Sequence, residues 1–391
     1  MGNNNLITCD WWDNLYGSWQ ELIILNIELS ESNKENKEIF AGNSLKQYYE
    51  DFTENKFKVP ANPDVPTILN KLSSLQSFHI DKDYSPILYN LNPLLKLQNL
   101  RTLDIYDNQL DLSPISGLTN LTFLSLQENK ANLYPVSNLT NLTSLYINDD
   151  KSNLEYLNNL TNLETLMLIA YGIEDINPIS NLTELRNLSM WMDVNDLSPI
   201  KKLIKLENLF IQDYEKDLAP LSLLLNLKSL KLGFTPKDLS PLCNLSNLEL
   251  LNIHTAKPFL GQPISLSPIV ELKNLKELHL FANESDLTPI ATMNNLKSLY
   301  LWNNKAELAN LNDMKKLQFI DLQHNTAETE PISELTKRIT NNGGEVITDS
   351  IYDDNDLDDF EEDSFWKEMA EEYGMDEPEL EEIYKQLNIN M

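Results

Sequence analysis

A triplet of the form apolar-x-apolar returns through most of this chain at a nearly fixed step, and no other feature constrains the fold as strongly. The triplet Leu103-Asp104-Ile105 is followed by triplets opening at Leu124, Leu145, Leu166, Leu188, Leu209, Leu230, Leu251, Leu278, Leu299 and Ile320. Nearly every step is 21 or 22 residues. An earlier unit opens at Phe78, and a strand-like piece, Val346-Ile347-Thr348, follows Ile320, which makes twelve units and a closing strand. A chain of 391 residues would otherwise suggest two or three domains, but a fixed internal period overrides that expectation.

Within a unit the triplet alternates in and out, the signature of a short strand with one buried face. A second apolar set follows at three-residue spacing, as in Leu112, Ile115, Leu118 and Leu121 with Pro114 near its start. That spacing predicts a tight 3₁₀ return to the next strand. Asp175 to Leu185, Asp196 to Leu206, Asp217 to Leu227 and Asp238 to Leu248 repeat the wording with little change. No single coil can bury these leucines alone, so neighbouring coils must stack and share one core.

The segment DLSPISGLTNLTFLSLQENK, beginning at Asp111, resembles the short bacterial leucine-rich repeats of the internalin family, and the resemblance covers roughly residues 65 to 348. It implies an α/β leucine-rich-repeat solenoid, curved, with a parallel sheet on the concave face and 3₁₀ or irregular structure on the convex side. Helical caps are expected at both ends. The division that follows is an N-terminal helical cap over 1–60, the solenoid over 61–348, and an acidic linker with a C-terminal helical segment over 349–391.

In the N-terminal part, Asp10 to Leu15 leads into Trp19, Leu22, Ile23 and Ile27 at helical spacing, Ser30 to Glu38 reads as a polar loop, and Leu45 to Phe57 as a second amphipathic helix. The C-terminal segment carries two apolar stripes, Phe365, Trp366, Met369 and Tyr373, then Leu380, Ile383, Tyr384 and Leu387. Both suit covers for terminal coils, and the C-terminal stripes equally suit docking on a partner. Asp354, Asp356 and Asp358 imitate the start of a calcium loop, but Asp359 stands where glycine is needed and Phe365 where the closing glutamate belongs, so calcium binding is rejected.

Charge narrows the partners. The chain carries −30 at pH 7, and residues 349–391 hold 17 acidic residues against Lys367 and Lys385, half of that total. Phosphate backbones and anionic lipid would be repelled, so a protein with a basic surface is the expected partner, not nucleic acid or a membrane. Cys9 and Cys243 lie far apart without metal-ligand spacing. With an N-terminal stretch that lacks a basic region and a long apolar run, this points to the cytoplasm. The recurring Asn-Leu-Thr triplets at Asn138 and Asn181 match glycosylation acceptors only because the repeat recurs.

No metal motif, phosphate loop or nucleophile elbow accompanies His79, His254, His279 and His324, so no enzyme activity and no cofactor are expected. His254 and His279 fall in adjacent units, and ordinary surface contact outweighs a metal pair there. The remaining candidate is the outer face of the strands. In the units from Leu103 onward, the 22 outward positions hold Tyr106, Tyr146, Trp191, Phe210, Phe281, Tyr300 and Trp302, seven aromatics where average composition would place about two. Met167 and Ile169 extend the track. Exposed aromatics in one stripe mark an interface, and this face is expected to bind a partner protein, as scaffold, regulator or immunity-type protein. A secreted or surface-attached internalin-like adhesin is the alternative.

Two irregularities flank the face. An asparagine five positions after the triplet start, at Asn108, Asn129, Asn283, Asn304 and Asn325, should turn inward onto backbone groups. Asp150, Tyr171, Asp193, Tyr214, Thr235 and Ala256 replace it in the middle units, and Lys257 to Pro263 is inserted at the rim.

Overall fold

The computed structural model describes residues 9–35, 64–80 and 88–348, less 107–108, 150–152, 171–172, 174, 193, 213–216, 235, 254–263, 282–284, 303–306, 324 and 326–331. Several sequence expectations lie outside these residues. They are the helix over Leu45 to Phe57, the whole segment from Ser350 including both C-terminal stripes, the six replacement residues of the middle units, and the rim insertion. By contacts the chain divides into two compact units, one holding residues 1–80 and 93–100 and the other 81–92 and 101–349.

The first unit contains α1 (Cys9–Asp13), α2 (Gly17–Glu35), α3 (Val65–Ser73) and the strand β1 (Ser77–Ile80). The aromatic-rich pattern forms two helices rather than one, because the Leu15 amide bonds back to the Trp12 carbonyl and turns the chain. Trp12, Trp19, Leu22, Ile23, Leu25 and Ile27 form its core, and Trp19 stacks on Phe78 at 6.1 Å. The loop expected from Ser30 does not start there. With neither Gly nor Pro between Ser30 and Glu35 to break it, α2 runs on through this polar stretch. α3 follows Asp64, whose carboxylate accepts from the Thr67 amide and hydroxyl, with Pro66 in the first turn.

Asn26 is the least expected member of this core. Its amide nitrogen donates to the carbonyls of Leu22 and His79, both at 2.9 Å, and its oxygen accepts from the His79 amide at 2.7 Å. One buried side chain thus supplies both hydrogen bonds that a further strand would give β1 at His79.

The second unit is the solenoid. Its strands are β2 (Thr102–Tyr106), β3 (Phe123–Asn129), β4 (Ser144–Asp149), β5 (Thr165–Ile169), β6 (Asn187–Trp191), β7 (Asn208–Gln212), β8 (Ser229–Gly233), β9 (Leu250–Ile253), β10 (Glu277–Phe281), β11 (Ser298–Trp302), β12 (Phe319–Asp321) and β13 (Glu345–Ile347). They lie side by side in chain order as a parallel sheet. Each triplet opens in register with the next, so Leu103 pairs Leu124, Leu188 pairs Leu209, and Ile320 pairs Val346. The register predicted from the repeat is the register observed.

The return path is 3₁₀ as the three-residue spacing requires. In the second coil Ile115 bonds Leu112, Leu118 bonds Ile115, and Leu121 bonds Leu118, at 2.9, 2.9 and 3.0 Å. The same residues carry the core, each at 0 or 1% exposure, so one spacing sets both the hydrogen bonds and the burial. Many returns begin where a side-chain oxygen accepts from the backbone amide two residues on: a carboxylate at Asp111 and Asp238, bonded by Ser113 and Ser240, and an amide oxygen at Asn132 and Asn153, bonded by Tyr134 and Glu155. The hydroxyls of Ser113 and Thr288, with the amides of the same residues, hold the carboxyls of Asp111 and Asp286 below their ordinary range, and the Ser240 amide and hydroxyl do the same for Asp238. Across coils, Asn141, Asn162, Asn226 and Asn247 donate to carbonyls of the preceding unit, at Thr119, Thr140, Ile204 and Leu225. This is why the asparagine recurs. Of the inward asparagines, Asn129 donates to the Ala131 carbonyl and Asn325 to that of Leu301.

The last unit replaces its 3₁₀ return with α4 (Ser333–Asn341), which buries Leu335 and Ile339. Arg338 donates to the carbonyls of Asn312 and Met314, and Gly344 passes so close to Gln318 that a Cβ would stand 2.1 Å from its carbonyl oxygen. No helix among the described residues is long and apolar enough to cross a membrane.

Candidate functional site: the outer face of the sheet

Strand geometry puts first and third triplet residues into the core, and leaves the middle residue and the one after it on the opposite face. Two rows result. Asp104, Ser125, Tyr146, Met167, Ser189, Phe210, Lys231, Asn252, His279, Tyr300 and Asp321 align across neighbouring strands in one. Tyr106, Ile169, Trp191, Gln212, Gly233, Phe281 and Trp302 stand in the other. All nine residues predicted for the site therefore share one face.

Their exposure is not uniform, and the expectation of an open aromatic stripe needs correction. Tyr106, Tyr146, Tyr300 and Trp302 are partly exposed. Met167, Ile169, Trp191, Phe210 and Phe281 are buried, with Trp191 at 2% and Phe210 at 1%. Strands this close let large neighbours shield one another: the rings of Trp191 and Phe210 are 4.8 Å apart, and those of Phe281 and Trp302 meet edge to face at 4.8 Å. The centre of the face is a consolidated apolar layer, and its accessible aromatics lie toward the two ends.

At the end nearer β2, the Tyr106 hydroxyl and the Glu128 carboxylate are 2.9 Å apart. Glu128 adopts φ 47° where the register of β3 shifts, an uncommon conformation for a residue with a side chain. Tyr146 meets Phe123 edge to face at 5.2 Å, and burial pushes its phenol pKa up. At the other end His279, 5% exposed, stacks flat on Tyr300 at 3.9 Å, and its Nε2 lies 2.7 Å from a Glu277 carboxylate oxygen. That hydrogen bond holds the Glu277 carboxyl below the usual range against the opposing effect of burial, with the charges of His279 and Lys231 adding to it. Tyr300 also packs on Phe319 at 4.8 Å. His279 thus sits in a carboxylate and aromatic setting. His254 lies outside the described residues, and among those described no group of three or more His, Cys, Asp or Glu could hold a metal ion.

The polar residues between the aromatic ends carry information that the sequence reading passed over. Gln212 and Asn252 are each 3% exposed, and the side-chain oxygens of both are buried without a hydrogen-bond partner, as is Trp302 Nε1. Gln212 lies across Gly233, the single glycine among the described strand residues: a Cβ there would fall 1.6 Å from the Gln212 oxygen. A glycine at an outward strand position was the available signal.

Beside this face the strand entrances carry alternating charge. Glu207 bridges Arg186 at 2.7 Å and Lys228 at 2.5 Å, and those two bonds hold its carboxyl below the ordinary range. Lys276 pairs Glu249 at 2.6 Å. Such exposed pairs fix coil-to-coil register more than they stabilise.

No protein-family profile matches the chain, and no curated protein matches it. Solved structures do. An internalin, InlF, from Listeria monocytogenes is 28% identical over 73% of this chain and 89% of its own, with a TM-score of 0.60. A leucine-rich-repeat protein from Leptospira interrogans is 21% identical over 71% of this chain and 80% of its own, at 0.52, a likeness of fold alone. The repeat unit is a leucine-rich-repeat solenoid with short, internalin-like repeats.

Proposed function

We propose that this protein is a non-enzymatic binding module that holds a partner protein against the outer face of its sheet. The observation that carries the reading is the concentration of aromatic side chains on that face, with Tyr106, Tyr146, Tyr300 and Trp302 still partly open. Tyrosine and tryptophan dominate interface hot spots because they bury much area at little entropic cost. The partner is a protein with a basic surface, steered by a chain charge of −30. The setting is the cytoplasm, and the role that of a scaffold, regulator or immunity-type protein. The likeness to an internalin supports the second reading, a surface-attached or secreted adhesin. A reporter fused to the chain separates the two by where it is recovered.

The test is photo-crosslinking in the native cell from a benzophenone amino acid at Tyr146, Tyr300 or Tyr134. Tyr134 is 68% exposed on the 3₁₀ side. One protein species joined from Tyr146 and Tyr300 but not from Tyr134 supports the reading. Joining from Tyr134 alone sinks it.

A further inference from the structure

On the 3₁₀ side, two successive coils break the repeat's own rule. At the turn before each strand the repeat places a polar residue, as at Thr119, Thr140, Thr161, Thr183 and Ser246, but the coils leading into β7 and β8 place Ile204 and Leu225 there. Two positions earlier, Lys202 and Leu223 stand where neighbouring coils carry Asn138, Asn181 and Asn244. Ile204, Leu223 and Leu225 are each at least half exposed. The two coils touch at this turn, since the Asn226 side chain donates to the Ile204 carbonyl at 2.8 Å. Single exposed apolar residues are ordinary, but a contiguous group on coils whose neighbours are polar marks an interaction surface.

Cations surround the patch. An open cleft of about 440 Å³ beside it is lined by Arg186, Lys205, Glu207, Asn226, Lys228 and Asn247. Arg186 and Lys228 share Glu207, and Lys205 reaches Glu184 at 2.6 Å, so three cations face two carboxylates. Lys201 and Lys202, both exposed, add two more charges on the return that carries Ile204. The chain as a whole is strongly acidic, but salt screens charge beyond about 8 Å at physiological ionic strength, so the local surplus sets what docks here. A complementary partner offers apolar side chains to the patch and carboxylates to the surrounding cations.

We propose that the coils leading into β7 and β8 form a second docking surface, which seats an acidic, apolar-bearing segment of another protein. Its apolar groups cover Ile204, Leu223 and Leu225, and its carboxylates lie along Lys201, Lys202, Lys205 and Lys228. The surface is separate from the sheet face, so either can fail without the other.

The probe is an acetylated, amidated, glutamate-rich decapeptide carrying three leucines, titrated by calorimetry into the full chain. One counterpart has glutamine for every glutamate, and another has serine for every leucine. The acidic peptide should bind at least tenfold more tightly than the glutamine peptide and at least fivefold more tightly than the serine peptide. Ile204→Thr with Leu225→Ser restores what neighbouring coils carry, and should weaken binding at least fivefold while the thermal midpoint holds. Lys201→Ser with Lys202→Asn should do the same. Trp302→Ala, on the sheet face, should change nothing. No measurable heat, equal affinity for the glutamine peptide, or unchanged binding to both double variants overturns the proposal. So does an equal loss in Trp302→Ala, which would put the peptide on the sheet face. In the native cell, a benzophenone amino acid at Leu223 should join an acidic stretch of a different protein. Joining to residues 349–391 of this chain would make its own acidic segment the occupant and refute the separate partner, leaving crosslinks from Tyr146 and Tyr300 untouched.

Discussion

Replacing Asn26 with leucine removes three hydrogen bonds from the first unit at nearly constant volume. Two of them join the His79 amide and carbonyl to the core of the first unit. The third, to the Leu22 carbonyl, is a bond back along α2 whose acceptor also belongs to the helix ladder, so its loss is minor. An unsatisfied buried backbone group costs about 1 to 3 kcal/mol. Two such groups therefore cost about 2 to 6 kcal/mol, and burying leucine in place of an amide returns about 1 to 2 kcal/mol. The net loss should be about 1 to 4 kcal/mol, expressed in the helices and β1 and not in the distant coils. Urea unfolding followed by tryptophan fluorescence gives the size, and hydrogen exchange by mass spectrometry gives the place, with β1 losing protection first. A loss below about 1 kcal/mol, or even loss of protection through β12, would refute the idea that one asparagine completes the edge of β1.

Leu209→Ala, in the core of β7, should cost about 2 to 5 kcal/mol in urea unfolding and leave the outer face unchanged. Trp191→Ala should also lose stability, since its ring is buried against Phe210, whereas Trp302→Ala should lose less and reads binding more cleanly. Gly344→Ala should destabilise the last coil and lower the thermal midpoint, because its Cβ meets the fixed Gln318 carbonyl. Asp111, Asp238 and Asp286 have folded pKa values below the ordinary carboxylate value, so their stabilisation is present above about pH 4 and is lost as pH falls through the folded values. The thermal midpoint should fall in that window, and less steeply in Asp238→Asn, which keeps an acceptor without titrating.

The solenoid was legible because one period sets several properties at once. Spacing alone placed each strand, its register, and the three-residue return at Leu112, Ile115 and Leu118. The N-terminal unit has no period, and its contacts join distant residues. Nothing in the neighbourhood of Asn26 announces that it will meet His79, 53 positions on. α3 did carry local signals, Asp64 before Val65 and Pro66 in the first turn, but they fell in a stretch assigned to the repeats. For the site, alternation told which face Trp191 and Phe210 would take. It could not tell how far two large rings on adjacent strands would close each other off. Gln212 and Gly233 were missed because the feature is a relation between them: a glycine gap matters only once a long amide lies over it.

The claim that the sheet face is where this protein meets its partner is tested most directly by hydroxyl-radical footprinting with the crosslinked partner bound and absent. Tyr106, Tyr146, Tyr300 and Trp302 should lose reactivity on binding, while Tyr134 and Tyr89, at 68% and 73% exposure, keep theirs. Protection of Tyr134 with the four face residues unchanged would contradict the account and place the partner on the opposite side of the coils.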